Sequence, residues 1–269
     1  MAEVTPRHPI TLQRLLRHIE GMEHVETRRE VTYFTTAGTS LAMDIYYPPH
    51  LRKTSGAPVV LVVAGYRDVG VPLTLGCRFK EMELAISLAQ LIAASGMAAV
   101  LYETSNPSAD ARRVVDFVVK SGETFRLDGN RIGIWGASGH GPTAIALLMD
   151  RGANLRAGVL STAYTMDLHG SGVADAAAAY HFVDAAAGRS MRELRKDVPL
   201  LLVRAGKEQF QGLNEALDRF VAAALEENLP LTLINHASAP HAFELYDDSP
   251  ASRYVIDTML QFMRFNLER

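Results

Sequence analysis

Residues Arg131–Asp150 read RIGIWGASGHGPTAIALLMD. The run from Ile132 to Trp135 is apolar, Gly136 to Gly141 is small apart from His140, and Pro142 opens a helical pattern. This spells strand, sharp turn, helix, with Pro142 in the first turn, where its missing N–H costs nothing. Ser138 stands at the turn. A strained turn leaves no room for neighbouring Cβ atoms, and Gly136 and Gly139 meet that need. The helix start behind it favours negative charge developing nearby. Ser138 is therefore a candidate nucleophile; the plain alternative is a glycine-rich turn with an exposed serine. His140 stands where the Gly-x-Ser-x-Gly pattern has its second glycine, flanked by Gly139 and Gly141. A dinucleotide-binding reading fails, because the glycines fall as G-x-x-G-x-G and no acidic residue closes a following strand at the right distance. A phosphate loop fails for want of Gly-Lys-Ser/Thr.

Outward from this stretch, short apolar runs alternate with helical ones. The runs begin at Pro58 (PVVLVVAGY), Met97 (MAAVLYETS), Ala157 (AGVLSTAYT), Val198 (VPLLLVRAG) and Leu231 (LTLINHAS). Most are continuous rather than alternating, as expected for strands covered on both faces. Between them, LNEALDRFVAAALEENL places Leu213, Leu217, Phe220, Val221, Ala224 and Leu225 on one helical face. EMELAISLAQLIAASG stops at Gly96, and ARRVVDFVVKSGETF fills a further crossover. The pattern predicts an α/β fold with a mostly parallel, doubly wound sheet. Before Pro58, ETRREVTYFTTAGTSLAMDIYYPP predicts an antiparallel hairpin around Ala37-Gly38-Thr39-Ser40 at the sheet edge. The chain reads as a single domain, 1–269, with 166–197 as a small lid or cap insertion.

Composition narrows the class. With 269 residues, 48% hydrophobic and 21% charged, the chain can bury a full core without disulfide or metal staples. A net charge of −3 gives no footprint for nucleic acid. The single cysteine, Cys77, excludes an intramolecular disulfide and any Cys-x-x-Cys site, and reads as a packing residue. The nine histidines show no metal-ligand spacing, so neither metal nor cofactor is expected. The N-terminal stretch MAEVTPRHPITLQRLLRHIEG has no signal-peptide core, and no apolar run suits a bilayer. A cytoplasmic protein without nucleic-acid or membrane partners is the expectation; a homo-oligomer stays open.

A serine nucleophile needs a base and an acid, in chain order Ser, Asp or Glu, His. Glu208 follows the strand VPLLLVRAG, and His236 and His241 follow the last strand. These are the strand ends where doubly wound sheets place ligands. His241, deeper in its loop after Pro240, is the better base, and His236 reads as structural. Asp167, after the preceding strand, is the alternative acid; Asp247 and Asp248 come late. Main-chain N–H groups of Gly139 and Tyr66 are the candidate oxyanion donors. Trp135 reads as a packed strand residue. His140 could touch substrate or cap the helix, and Tyr164, Tyr180, His181 and Phe182 could line an acyl pocket or pack the insertion.

The strand VVLVVAGY, the elbow WGASGHG, the stretch VRAGKEQFQGLNEALDRF and the segment NHASAPHAFELYDD resemble the α/β-hydrolase fold. More narrowly they are similar to its dienelactone hydrolase-like and acetyl esterase-like branch. The resemblance implies Ser138 as nucleophile, Glu208 as acid and His241 as base. It implies a serine esterase, a carboxylic ester hydrolase acting on a small, short-acyl substrate. Acyltransferase, perhydrolase, peptidase-like and non-catalytic members of the fold are the alternatives. Three departures stand out: serine replaces the elbow cysteine of dienelactone hydrolases, Ala64-Gly65-Tyr66 replaces the usual His-Gly, and Glu208 replaces the more frequent Asp.

Overall fold

The computed structural model describes residues 6–52, 56–69 and 75–269. The first five residues of the N-terminal stretch read above lie outside them. Eight strands form one sheet among the described residues: β1 (Glu26–Thr36), β2 (Thr39–Tyr47), β3 (Ala57–Val62), β4 (Ala98–Tyr102), β5 (Leu127–Ala137), β6 (Ala157–Ser161), β7 (Leu200–Lys207) and β8 (Leu231–Pro240). Their order is β1-β2-β4-β3-β5-β6-β7-β8. β1 and β2 pair antiparallel, as do β2 and β4, and every pairing from β4 to β8 is parallel. The expected hairpin is present, with a tighter turn than read: Thr36 pairs with Thr39, so only Ala37 and Gly38 lie between the strands.

Among the described residues, seven α-helices connect or flank the strands: α1 (Glu83–Ala94), α2 (Pro107–Ser121), α3 (Gly141–Leu148), α4 (Val173–Tyr180), α5 (Leu213–Glu226), α6 (Phe243–Tyr246) and α7 (Pro250–Glu268). Every residue of β3, β4 and β6 is buried, which follows from helices covering both faces. In α5 the buried stripe is Leu213, Ala216, Leu217, Phe220 and Ala224. Burying each Leu or Phe is worth about 1.5–3 kcal/mol, so this stripe holds the helix on β7 and β8. Leu225, expected on that face, is 66% exposed, because at 100° per residue it falls about 120° round from Leu213.

A buried ionic cluster ties the edge hairpin to the functional end of the sheet. The Lys80 ammonium lies between Asp44 of β2 at 3.4 Å and Glu103 after β4 at 3.2 Å, and reaches Glu30 of β1 at 2.5 Å. Its side chain is 1% exposed. Arg78 adds a bond to Glu103 and closes a capping box with Glu81. Phe79, between Arg78 and Lys80, is thereby held where it meets the turn after β5.

Between β6 and β7 the chain leaves the sheet. Residues 166–197 contain α4 and a short 3₁₀ turn at Met191–Glu193. Phe182 and Tyr164 join Val173 and Ala176 of α4 and Leu213 and Ala216 of α5 in a second, smaller apolar cluster.

Candidate active site

β5 runs to Ala137 and pairs with Ser161 of β6 at its last rung, so Ser138 is the first residue beyond the sheet. Its φ is 48°, a left-handed conformation that costs a non-glycine residue about 1–3 kcal/mol and clusters at functional sites. The neighbours explain why they carry no side chain. A Cβ on Gly139 would overlap the Tyr66 hydroxyl and lie 2.9 Å from both Tyr66 Cζ and Phe182 Cδ1. A Cβ on Gly141 would overlap the Tyr164 carbonyl, so the close packing expected of the motif's second glycine falls one residue later. Tyr164 N–H in turn donates to the Ser138 carbonyl at 3.0 Å.

Glu208 and His241, the candidate acid and base, come from one strand pair. β7 and β8 extend past the rest of the sheet through an irregularity between Ala205 and Lys207, and Lys207 pairs with Pro240. Glu208 and His241 are each the next residue, side by side. His241 Nδ1 lies 2.7 Å from Glu208 Oε2, and its Nε2 lies 3.0 Å from Ser138 Oγ. Glu208 Oε1 accepts the N–H groups of Gln209 and Phe210, both at 2.9 Å. Those bonds orient the carboxylate, whose side chain is 2% exposed against 9% for His241. An acceptor at Nδ1 places the imidazole proton there and leaves Nε2 to accept from the serine hydroxyl.

The other residues singled out fall elsewhere. Asp167 accepts from Ser171 Oγ and from the N–H groups of Gly172 and Ala174, and so caps the start of α4. His236 is buried at 2.8 Å from Ser252 Oγ, which donates to Asp247 and locks the start of α7. Trp135 is 2% exposed and Cys77 4%, both packed in the core. His140 neither caps α3 nor stands open: its Nδ1 accepts the Gly65 N–H at 2.7 Å. Its ring lies 4.4 Å from Phe79 and edge-on to Tyr66 at 5.1 Å. Burial lowers its pKa to about 4, keeping it neutral and able to accept.

The loop after β3 is thus pinned from several directions. Gly65 N–H is committed to His140, while Tyr66 N–H, next along, has no main-chain acceptor among the described residues. Asp68 accepts the Thr104 N–H at 2.7 Å, and burial raises its pKa to about 6. From the other side Val183 N–H donates to the Gly65 carbonyl at 2.8 Å. Phe182 stacks on Tyr164 at 5.0 Å and meets Tyr66 edge-on at 6.3 Å.

Three neighbours escaped the sequence reading. Phe210 packs edge-on to the His241 ring at 4.6 Å, and Phe79 backs His140. Glu244, one turn after His241, bonds the Ser161 hydroxyl, and burial raises its pKa. Its place three residues after His241 was the available signal.

No known family model and no curated protein matches the sequence. Solved structures do. A structural analysis of two fungal esterases from Rhizomucor miehei matches at 14% identity and TM-score 0.71, over 95% of this chain and 86% of that one. The chain has the α/β-hydrolase fold. An esterase from Mycobacterium marinum, LipW, shares this α/β-hydrolase core at 15% identity and TM-score 0.69, over 91% of this chain and 83% of that one. An alpha/beta hydrolase enzyme from a Medee basin deep-sea metagenome library matches at 14% and 0.66, over 91% and 99%. Likeness at this identity is likeness of fold. Among the described residues, no helix is long and apolar enough to cross a membrane.

Proposed function

We propose that the protein is a serine hydrolase of carboxylic esters, with Ser138 as nucleophile, His241 as general base and Glu208 as the acid that orients it. The observation that carries this reading is the continuous chain Ser138 Oγ, His241 Nε2, His241 Nδ1, Glu208 Oε2, with links of 3.0 and 2.7 Å. In the first half-reaction Ser138 Oγ bonds to the ester carbonyl carbon while its proton passes to His241 Nε2. The carbonyl electron pair becomes an oxyanion, met by the main-chain N–H groups of Gly139 and Tyr66. Collapse breaks the bond to the alkoxy oxygen, which leaves as the alcohol with the His241 proton. Water then repeats the sequence on the acyl-enzyme, giving the acid and restoring Ser138. Glu208 holds the imidazole tautomer and stabilises its charged form.

Residues 166–197 act as a cap in this reading, supported by Phe182 over Gly139 and by Val183 bonded to Gly65. Short acyl groups are the proposed substrates, a reading supported by the aromatic rings of Tyr66, Tyr164 and Phe182 gathered beside the turn. The test is a p-nitrophenyl ester panel of increasing acyl length with wild type and Ser138→Ala. Wild-type turnover of short esters, abolished in Ser138→Ala, is expected; equal rates in both would remove Ser138 as nucleophile.

A further inference from the structure

Main-chain groups are not the only donors facing the nucleophile turn. The Tyr66 hydroxyl lies against the Cα of Gly139, where a Cβ would overlap it. That carbon is bonded to the Gly139 nitrogen, the first N–H beyond the nucleophile. Among the described residues the Tyr66 hydroxyl has no hydrogen-bond acceptor of its own, although its ring is packed on two sides by His140 and Phe182. A phenol hydroxyl with no acceptor among the described residues keeps its donor for a group bound at the turn.

The placement of that ring is traceable to the residue that breaks the elbow pattern. His140 takes the Gly65 N–H at 2.7 Å, so the backbone immediately before Tyr66 is fixed to the nucleophile turn itself. Its ring then forms the wall against which Tyr66 stands, braced from behind by Phe79 at 4.4 Å. A glycine at position 140 could supply neither the acceptor nor the wall.

Resting on the ester-hydrolase reading, we infer that the Tyr66 hydroxyl is an oxyanion donor beside the Gly139 N–H, and that His140 is the positioning residue that aims it. Burial raises the phenol pKa to about 12, so the hydroxyl keeps its proton throughout the working range and acts only as a donor. The carbonyl oxygen gains charge as Ser138 Oγ bonds to carbon, and the phenol O–H shortens its bond to that oxygen without transferring the proton. The stabilisation appears in the transition state and not in the bound ester.

Tyr66→Phe removes one oxygen and leaves the ring and both Tyr66 main-chain groups in place. Loss of an oxyanion donor typically slows turnover about 100- to 1000-fold, and here kcat is expected to fall by that factor with KM changed less than about threefold. The same fall is expected in the rate at which a fluorophosphonate probe labels Ser138, a readout that needs no knowledge of the ester. His140→Gln should lower kcat as well, and Tyr66→Phe made in that background should cost much less than in wild type. Wild-type kcat and labelling rate in a folded Tyr66→Phe protein would overturn the donor assignment, and additive losses would overturn the positioning role of His140. Both results leave the hydrolase reading standing, because that reading fails only if Ser138→Ala stays active or the probe labels another residue.

Discussion

Replacing Gly65 by alanine tests the close approach between the loop after β3 and the nucleophile turn. A Cβ at this position would sit 2.5 Å from the Gly139 carbonyl oxygen and 2.7 Å from His140 Cα. Both are backbone atoms, so no side chain can swing aside. Restoring ordinary contact at 3.4 Å requires the two loops to part by about 0.9 Å. The bond from Gly65 N–H to His140 Nδ1, 2.7 Å long, would then stretch to about 3.6 Å, beyond hydrogen-bonding range. Overpacking of this kind costs about 1–3 kcal/mol. In a domain of this size that lowers Tm by about 2–6 °C. Catalysis should suffer more than stability, since a misplacement of about 1 Å can cost about 100-fold in rate. Thermal melts give the first quantity, and kcat on a short p-nitrophenyl ester gives the second. A folded Gly65→Ala protein with wild-type kcat would refute the reasoning, because the two loops would then not need their close contact for turnover.

Other perturbations separate the remaining roles. Glu208→Gln should lower kcat by about 10⁴-fold, as loss of the orienting carboxylate does elsewhere, whereas Asp167→Asn should leave kcat near wild type and loosen α4 by about 1 kcal/mol; the opposite ranking in steady-state assays would transfer the acid role to Asp167. Burial holds His140 near pKa 4 against an ordinary 6.5, so below pH 6.5 the unfolded chain binds a proton that the folded one refuses. Stability is therefore lost as pH falls from 6.5 towards 4, by about 3 kcal/mol in all, and denaturant melts should show the deficit of His140→Gln relative to wild type shrinking by that amount between pH 7 and pH 4. Asp68, raised to about 6, acts in the opposite direction, but it is common to both proteins and cancels in the difference. Lys80→Met leaves Asp44 and Glu103, 7% and 10% exposed, without their ammonium partner. A loss of about 3–5 kcal/mol is expected in urea melts, and a loss below about 1 kcal/mol would show the cluster to be structurally idle.

The parts of this fold written in local patterns were legible in the sequence. Continuous apolar runs located β3 to β8, and the stretch around Ser138 located the strand-to-helix turn after β5, because both depend on neighbours in the chain. Asp167 and Glu208 were harder to rank, since each follows a strand and nothing local says which carboxylate reaches His241. That choice is made by the register of β7 on β8, a tertiary property. His140 resisted for a different reason. Its function lies in accepting a single N–H from Gly65, 75 residues away in sequence, and no pattern within its own segment reports that partner. Leu225 shows the converse limit: an apolar residue near the edge of a helical stripe is assigned by a few tens of degrees, which residue spacing alone resolves poorly.

The rung that pairs Lys207 with Pro240 also makes Glu208 and His241 a single mechanical unit. Any movement of the β7–β8 arm carries Glu208 and His241 together, so their 2.7 Å bond moves as one piece. The gap to Ser138, which rides on β5, is the compliant coordinate. Disturbances at the β6–β7 connection should therefore register as a change in how often serine and imidazole meet, with the charge pairing of the imidazole intact. Inserting one residue into β7 before Glu208 would do the reverse: it would turn the carboxylate to the opposite side of the strand while leaving Ser138 and His241 in reach of each other.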